Sequence, residues 1–332
     1  MDYSPRNILV TGGAGFIGSH FIQYYQKKYP DMFIANLDKL TYAGSLENLV
    51  SLPHPHRHCF FQGDICDKQL TGRLLREFCI DTIVHFAAET HVDRSIANPN
   101  SFINTNVLGT HVLLQESLNY YIEKKLDSRT FRFHHISTDE VYGNLKENEP
   151  AFTEMTAYAP SSPYSASKAA SDHLIHCYYR TYGLPITMSH CSNNYGPFQH
   201  KEKFIPTVIR HCLAQQPIPV YGDGSNIRDW LHVEDHCSGI DSIIRKGKVG
   251  ETYNIGGNTE LSNLEVIEVI CDTLNQLSLV RCNYAKLISF QEDRLGHDWR
   301  YAINAEKITL ELDWKPSESF VSGIQKTLIT YL

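Results

Sequence analysis

Asn7-Ile8-Leu9-Val10-Thr11-Gly12-Gly13-Ala14-Gly15-Phe16-Ile17-Gly18 decides the fold. A β-rich run ends on a glycine cluster, and an amphipathic stretch over residues 16–25 follows at once. The order is strand, tight turn, helix. Glycines at 12, 15 and 18 permit the turn, the close approach of backbone to a pyrophosphate, and helix-on-strand packing, with the helix N-terminus facing the anion. A spaced glycine triplet alone is also what a packing turn looks like, so the acid downstream matters. Asp38 lies twenty residues past Gly18 at the end of the next β-rich run, where a carboxylate accepts hydrogen bonds from the adenosine ribose and repels a 2′-phosphate. NAD is therefore favoured over NADP, although the neighbouring cation Lys39 is able to tolerate the extra phosphate.

Outward from this unit, β-rich runs at residues 7–11, 33–38, 59–64, 82–87, 131–137 and 186–192 alternate with helical patterns. That alternation predicts the α/β class: βαβ units in a doubly wound parallel (Rossmann) sheet, with ligands beyond the carboxyl ends of its strands. After Asn194, Pro197, Pro206, Pro217, Pro219 and Gly222-Asp223-Gly224 break the chain into short elements. A strand-like run at 252–255 and a helix at 263–277 bring the chain back to the sheet before it ends. We expect an NAD-binding domain over 1–195 with a return around 229–257, and a smaller, mixed C-terminal substrate lobe over 196–228 and 258–332.

The composition narrows the function. With 332 residues, 42% hydrophobic and 20% charged, the chain is a folded globular protein larger than a bare binding module. Thirty Lys and Arg against 37 Asp and Glu give a net charge of −7 with no basic block, so no nucleic-acid partner is expected. The 9 cysteines are odd in number and never spaced as Cys-x-x-Cys, which argues against a disulfide framework and a zinc site. No metal, no membrane span and no signal peptide are expected, and the location read from this is cytoplasmic.

Three further strand ends carry polar or small residues. Asp64-Ile65 follows the third run, where Asp64 reaches an adenine or caps its own loop. Ala87 and Ala88 follow the fourth, leaving space for a cofactor or for a close helix. Ser137-Thr138-Asp139-Glu140 follows the fifth, and its bland reading is a helix N-cap. Tyr164-Ser165-Ala166-Ser167-Lys168 argues for more: at i,i+4 on a helix the phenol and ammonium share a face. A cation there lowers the phenol pKa and makes a general base for a hydroxyl undergoing oxidation.

Across the whole chain the sequence resembles the extended short-chain dehydrogenase/reductase superfamily, and within it the nucleotide-sugar 4,6-dehydratases, most closely those acting on dTDP-glucose. The resemblance is carried by TGGAGFIGSH, LDKLTYAGSLENL, HFAAETHVDRSI, STDEVYG, PSSPYSASKAASDHL, SNNYGP, VYGDGSNIRDWLHVEDH and RLGHDWRYAIN. Thr138-Asp139-Glu140 is what separates the dehydratases from epimerases with the same Tyr and Lys. The resemblance implies Tyr164 as base for the C4 hydroxyl, Lys168 as its modulator and a ribose ligand, and Thr138 on O4. It implies Glu140 as base for the C5 proton and Asp139 as acid for the departing C6 hydroxyl. For NAD it implicates Gly12, Gly15, Phe16, Ile17, Gly18, Asp38, Lys39 and Thr41, with Asp64, Ile65, Ala87, Ala88, Thr105, Tyr164, Lys168 and Asn194. For the nucleotide sugar it implicates Thr90, Thr138, Asn193, Lys203, Phe204, Pro219 and Tyr221, with Arg228, Asn263, Asp293, Arg294 and His297. Arg228 and Arg294 read as cations available to a diphosphate. Leu295 stands where the family usually has Pro, and Thr90 where Ser is common.

Other features read as structural. His54, His56 and His58 alternate with prolines and arginine as a solvated loop, and His134-His135 reads as strand packing. The helical stretches 101–124 and 164–182 carry Val107, Val112, Leu114, Leu118, Ile175 and Tyr179 beyond a single core stripe. In the resembling family two such helices form a four-helix dimer interface, which implies a homodimer; burial within one subunit gives a similar composition. The rival readings are a dehydratase for another nucleotide-hexose, an epimerase, and a non-catalytic NAD-binding regulator.

Overall fold

Strands buried on both faces require helices on both sides, and the buried runs of this chain obey that rule. The computed structural model describes residues 2–277, 282–293 and 296–332. The first half comprises β1 (Asn7–Thr11), α1 (Phe16–Lys28), β2 (Phe33–Asp38), β3 (His58–Gln62), α2 (Lys68–Glu77) and β4 (Thr82–His85). It continues through α3 (Val92–Ala97), α4 (Pro99–Phe102), α5 (Thr110–Glu123), β5 (Arg132–Thr138), α6 (Pro163–Tyr182) and β6 (Ile186–Cys191). Then come β7 (Asn193–Tyr195), α7 (Phe204–Leu213), β8 (Ile218–Tyr221), β9 (Ile227–His232), α8 (Val233–Lys246) and β10 (Thr252–Ile255). The last elements are β11 (Glu260–Ser262), α9 (Asn263–Leu277), β12 (Ile288–Gln291), α10 (Glu306–Leu312) and α11 (Phe320–Ile329).

Seven strands form one sheet in the order β3-β2-β1-β4-β5-β6-β10, and every pair in it is parallel. The order reverses between β1 and β4, so the crevice for ligands opens beyond Thr11 and His85, which are register partners. One face is covered by α1 and α8, with Phe21, Ile22, Tyr25, Ile240 and Ile243 in its core. The other is covered by α2, α5 and α6 through Leu74, Leu113, Leu118, Ile175 and Tyr178. A separate core under α7, α9 and α11 holds the small sheets β11-β9-β7 and β12-β8 beside the crevice.

The carboxyl end of β5 meets α6, whose start is fixed by local chemistry. Ser162 caps the helix in a reciprocal box with Ser165, and Pro163 occupies the first turn. Gly183 then ends it in the left-handed conformation at φ 70.

The expected strand ends at 64 and 87 are too long, because β3 stops at Gln62 and β4 at His85. The stretch 101–124 departs further: it runs as α4, a π-helical segment over Ile103–Gly109, and α5. The side chain of Asn106 explains the irregularity. Its Nδ2 donates to Glu89 O (3.0 Å) and Ser167 Oγ (2.8 Å), and its Oδ1 accepts from Glu89 N (2.8 Å), tying the loop after β4 to α6. π-turns of this kind are favoured where a side chain must be aimed out of helical phase.

Gly18 carries the contact between α1 and the turn. A Cβ there would lie 2.3 Å from Gly12 O and 2.8 Å from Gly13 Cα. Gly18→Ala should lower stability by about 1–3 kcal/mol, the usual cost of overpacking. Denaturant unfolding at fixed ionic strength checks this, and an unchanged midpoint would show that the turn relaxes freely.

Candidate functional site

At the nucleotide end, Gly15 is the N-cap of α1, and no side chain caps that helix or puts an acid in its first turn. A Cβ on Gly15 would meet nothing closer than Gly12 O at 3.3 Å. The open cradle and bare backbone N–H groups fit a dinucleotide's pyrophosphate. Asp38 is buried and held at both oxygens: Oδ2 accepts from Ala14 N (2.9 Å) and Oδ1 from Leu40 N (2.8 Å). The second bond steadies Leu40 at φ 55, a left-handed conformation costly for a leucine. Lys39 is not an uncommitted cation, because its Nζ pairs with Asp64 Oδ2 at 2.7 Å. Asp64 also accepts from Cys66 N (2.9 Å), so the loop-capping role is realised.

At the other end, Thr138 terminates β5 and starts a 3₁₀ turn over Asp139–Tyr142, its hydroxyl accepting from Glu140 N at 3.3 Å. The capping reading and the reactive reading therefore fall on one residue. Thr138 Oγ1 also donates to Asp139 Oδ1 (3.3 Å), while Asp139 Oδ2 is buried without a hydrogen-bond partner among the described residues. Burial pushes the Asp139 carboxyl well above the usual range, and Glu140 and Asp229 add to it against Arg228. The shift favours the protonated acid.

Tyr164 corrects a sequence expectation. Its phenol is not lowered: burial raises it well above its ordinary value, Glu140 adds to the rise, and a hydrogen bond with Thr138 opposes it. The adjacent ammonium is partly occupied, since Lys168 Nζ donates to Ile136 O (2.7 Å) and lies 3.4 Å from His135 Nε2. Nor is His135 mere packing, because it sits between Lys168 and Asp172.

One cavity joins the two ends. It is lined by Gly12, Gly15, Phe16, Ile17, Gly18, Asp38, Lys39, Thr41, Asp64 and Ile65, by Ala87, Ala88, Thr90 and Thr105, and by Thr138, Asp139, Glu140, Tyr164, Lys168, Asn193, Asn194 and Lys203. Among the described residues, the remaining sugar-nucleotide candidates are not in its lining. Phe204 packs against Trp230, their ring centroids 6.3 Å apart. Pro219 lies on β8 and Asn263 opens α9. Tyr221, Asp293 and His297 cluster at the end of β8, with His297 Nδ1 2.6 Å from Asp293 Oδ1. Arg228 is no solvated cation: its guanidinium donates to Ile227 O, Trp299 O and Asp298 O and stacks 4.4 Å from the Tyr301 ring. Arg294 and Leu295 lie outside the described residues.

Sequence reasoning missed several groups of the cavity. Gln199 Oε1 joins Asn193 Oδ1 as a buried acceptor without a partner among the described residues. Cys191, Ser192, Tyr42 and Glu89 also line it. None has a spacing signal; Cys191 ends β6 and the others are brought in by loops beyond strand ends.

A Rossmann crevice whose far end holds a Tyr/Lys pair and a Thr-Asp-Glu turn defines a nucleotide-sugar-modifying member of the short-chain dehydrogenase/reductase superfamily. The chain belongs to the family described as GDP-mannose 4,6 dehydratase, whose model matches residues 9–327. It is 51% identical over 337 residues to the dTDP-glucose 4,6-dehydratase of Shigella flexneri, covering 98% of this chain and 92% of that one. It is also similar to the dTDP-glucose 4,6-dehydratase structure from Bacillus anthracis in complex with NAD, with TM-score 0.87 and 45% identity over 98% of this chain and 96% of that one. The enzyme from Streptomyces venezuelae, solved with NAD, gives TM-score 0.89 and 44% identity over 98% and 96%.

Lys39 is paired with Asp64, so Asp38 is the group on which the expected cofactor preference is tested. Asp38→Asn should bring NADP affinity to within about tenfold of NAD affinity by removing the repulsion. Titrations of both cofactors decide it, and an unchanged preference assigns discrimination elsewhere.

Asp139 also makes a stability prediction. Its pKa is raised on folding, so the native state holds a proton the unfolded chain releases, and stability is lost as pH rises above the unfolded value of about 4. Asp139→Asn should therefore be at least as stable as wild type at pH 7, the difference closing toward about pH 4. Chemical denaturation across that range measures it; a variant less stable at neutral pH would mean that the carboxyl is ionised.

Proposed function

We propose that this chain is an NAD-dependent dTDP-glucose 4,6-dehydratase, a hydro-lyase that forms dTDP-4-keto-6-deoxyglucose. The observation that carries the reading is Asp139: a buried carboxyl, its protonated form favoured by that burial, directly beside Glu140 in the cavity that also holds Tyr164 and Lys168. An ordinary dehydrogenase or epimerase has no use for such an acid, whereas loss of water needs one. NAD, when bound, takes the C4 hydride and returns it to C6, and its cationic ring offsets the raised phenol of Tyr164.

The protein's own groups move the protons. Tyr164 accepts the proton of the C4 hydroxyl, with Thr138 bonded beside it and Lys168 against the ribose. The C4 ketone acidifies C5, Glu140 removes the C5 proton, and Asp139 protonates the C6 oxygen as it leaves as water. Asn193 and Gln199 offer their unpartnered oxygens to the sugar or to NAD. We assign the NAD lobe to 1–195 with the return at 229–257, and the nucleotide-sugar lobe to 196–228 and 258–332. Tyr221, Arg228 and His297 lie in the second lobe; Arg228 acts as a rigid wall near Asp139 rather than a mobile clamp.

We further assign a cytoplasmic homodimer. Leu114, Leu118 and Ile175 belong to the subunit's own core, so they do not argue for an interface. Ile103, Leu108, Ile122 and Tyr182 on the same helical stretches are exposed and supply the apolar surface instead. All nine cysteines are free thiols, which suits a reducing compartment. Among the described residues no helix is long and apolar enough to cross a membrane.

Deuterium at C4 of dTDP-glucose should appear at C6 of the product with no net consumption of NAD. Asp139→Asn should oxidise C4 and stall, accumulating bound NADH, and Tyr164→Phe should lower turnover about 10²-fold or more. Deuterium retained at C4, or wild-type dehydration by Asp139→Asn, would overturn the reading.

A further inference from the structure

Behind Tyr164 and Lys168, α6 carries a third polar residue at the same four-residue interval, Asp172, fully buried among β5 and β6. Its Oδ2 accepts from Ser137 Oγ (2.8 Å) and lies 3.1 Å from His190 Nε2. Its Oδ1 lies 3.3 Å from His135 Nε2, without a well-aligned donor. The same His135 nitrogen is 3.4 Å from Lys168 Nζ. His190 is held from its other side by Tyr142 OH (2.7 Å), and Tyr158 OH lies 3.0 Å from Nε2. The chain Asp172, His135, Lys168 thus runs from the back of the helix to the cavity wall.

The proposed chemistry does not use this carboxylate, and a buried aspartate is costly without a task. Lys168 supplies one. Its ammonium is buried, and among the described residues it hydrogen-bonds to a carbonyl and a ring nitrogen, not to a carboxylate. Facing it are Tyr164 and Asp172 on α6, His135 on β5, Cys191 on β6 and His85 on β4. Burial holds His85 neutral and His135 at a pKa of about 4, and raises the Cys191 thiol, so none of these balances the charge. Burial lowers Lys168 itself, and Asp172 is the first group that opposes this. Asp172 stays ionised because contacts from His135 and His190 outweigh its own burial. Tyr142, Tyr158 and His176 also face it.

We propose that Asp172 is a positioning residue for the redox pair: lying 3.3 Å behind the His135 nitrogen that faces Lys168, its carboxylate provides the negative charge that keeps Lys168 an ammonium and so sets the alkaline limit of C4 oxidation. The inference rests on the assignment of Tyr164 and Lys168 as that pair. Removing the negative charge makes the ammonium easier to deprotonate, so its loss moves to lower pH.

The test is single-turnover reduction of NAD in the holoenzyme by dTDP-glucose, followed by NADH absorbance against pH. For Asp172→Asn the alkaline limb should move down by about one pH unit or more, costing up to about tenfold in rate on the alkaline side relative to wild type. His135→Asn leaves Asp172 held by Ser137 and His190 but removes the ring between it and Lys168, letting water screen the charge, so the alkaline limb should move down in this variant too. It serves as the second variant should Asp172→Asn not fold. An alkaline limb left in place in folded Asp172→Asn, or wild-type rates throughout for His135→Asn, overturns the proposal. Lys168→Met separates the two readings: if it retains wild-type reduction, the redox-pair assignment itself fails, whereas if it abolishes reduction while Asp172→Asn behaves as wild type, only the present inference fails.

Discussion

The site depends on burying hydroxyl, carboxyl and ammonium groups together where β5 runs into α6. Each of these groups is expensive to remove from water, and each is tolerated because another satisfies it. The capping box of Ser162 and Ser165 fixes where α6 begins, and the four-residue interval then stacks Tyr164, Lys168 and Asp172 along one face. β5 offers His135 and Ser137 from the opposing face by its two-residue repeat. A shift of α6 by one residue would turn all three of its polar groups into the apolar core, so helix start and active-site geometry are one constraint.

The rest of the molecule is arranged to hold that junction still. Asn106, made available by the π-helical segment, bonds both the loop after β4 and Ser167 on α6. Ser171 Oγ donates to Asn106 O at 2.6 Å, a second tie one turn further along. From the second lobe, Arg228 locks the segment at Asp298 and Trp299 by backbone carbonyls. Asp298 is in turn hydrogen-bonded by Ser161 Oγ, just ahead of the cap of α6. The segment at Asp298 thus meets the start of the helix that carries Tyr164.

Local periodicity was legible where it alone decides structure. β1, β2, β10 and α9 fall on the residues their patterns indicate, because a buried strand or an amphipathic helix is written in consecutive side chains. The ends of β3 and β4 were not, since the apolar pattern runs on into Gly63 and Phe86 while pairing has already ceased. The π segment was invisible because its cause, the hold of Asn106 on Glu89, is a tertiary contact. Residue types in the cavity were legible through motif and resemblance, but charge states were not. The spacing of Tyr164 and Lys168 suggests a lowered phenol, and only the depth of burial and the nearness of Glu140 reverse it.

Thr138 shows how such depth becomes mechanism. Its hydroxyl has one proton and two lone pairs, yet it faces Glu140 N, Asp139 Oδ1 and the Tyr164 phenol. The Glu140 amide takes a lone pair permanently, which leaves the single proton to be given either to Asp139 or to Tyr164. While the phenol is protonated, Thr138 can point at Asp139 Oδ1, as it does here. Once Tyr164 becomes a phenolate, its charge draws that proton and releases Asp139. In the mechanism proposed above, that would leave one Asp139 oxygen freed and the other already without a partner among the described residues, the state suited to donating to a leaving hydroxyl. Consecutive residues of a three-residue-per-turn helix diverge by about 120°, and Asp139 is buried where Glu140 is half-buried. One threonine proton would thus link the proposed acid to the oxidation that precedes elimination.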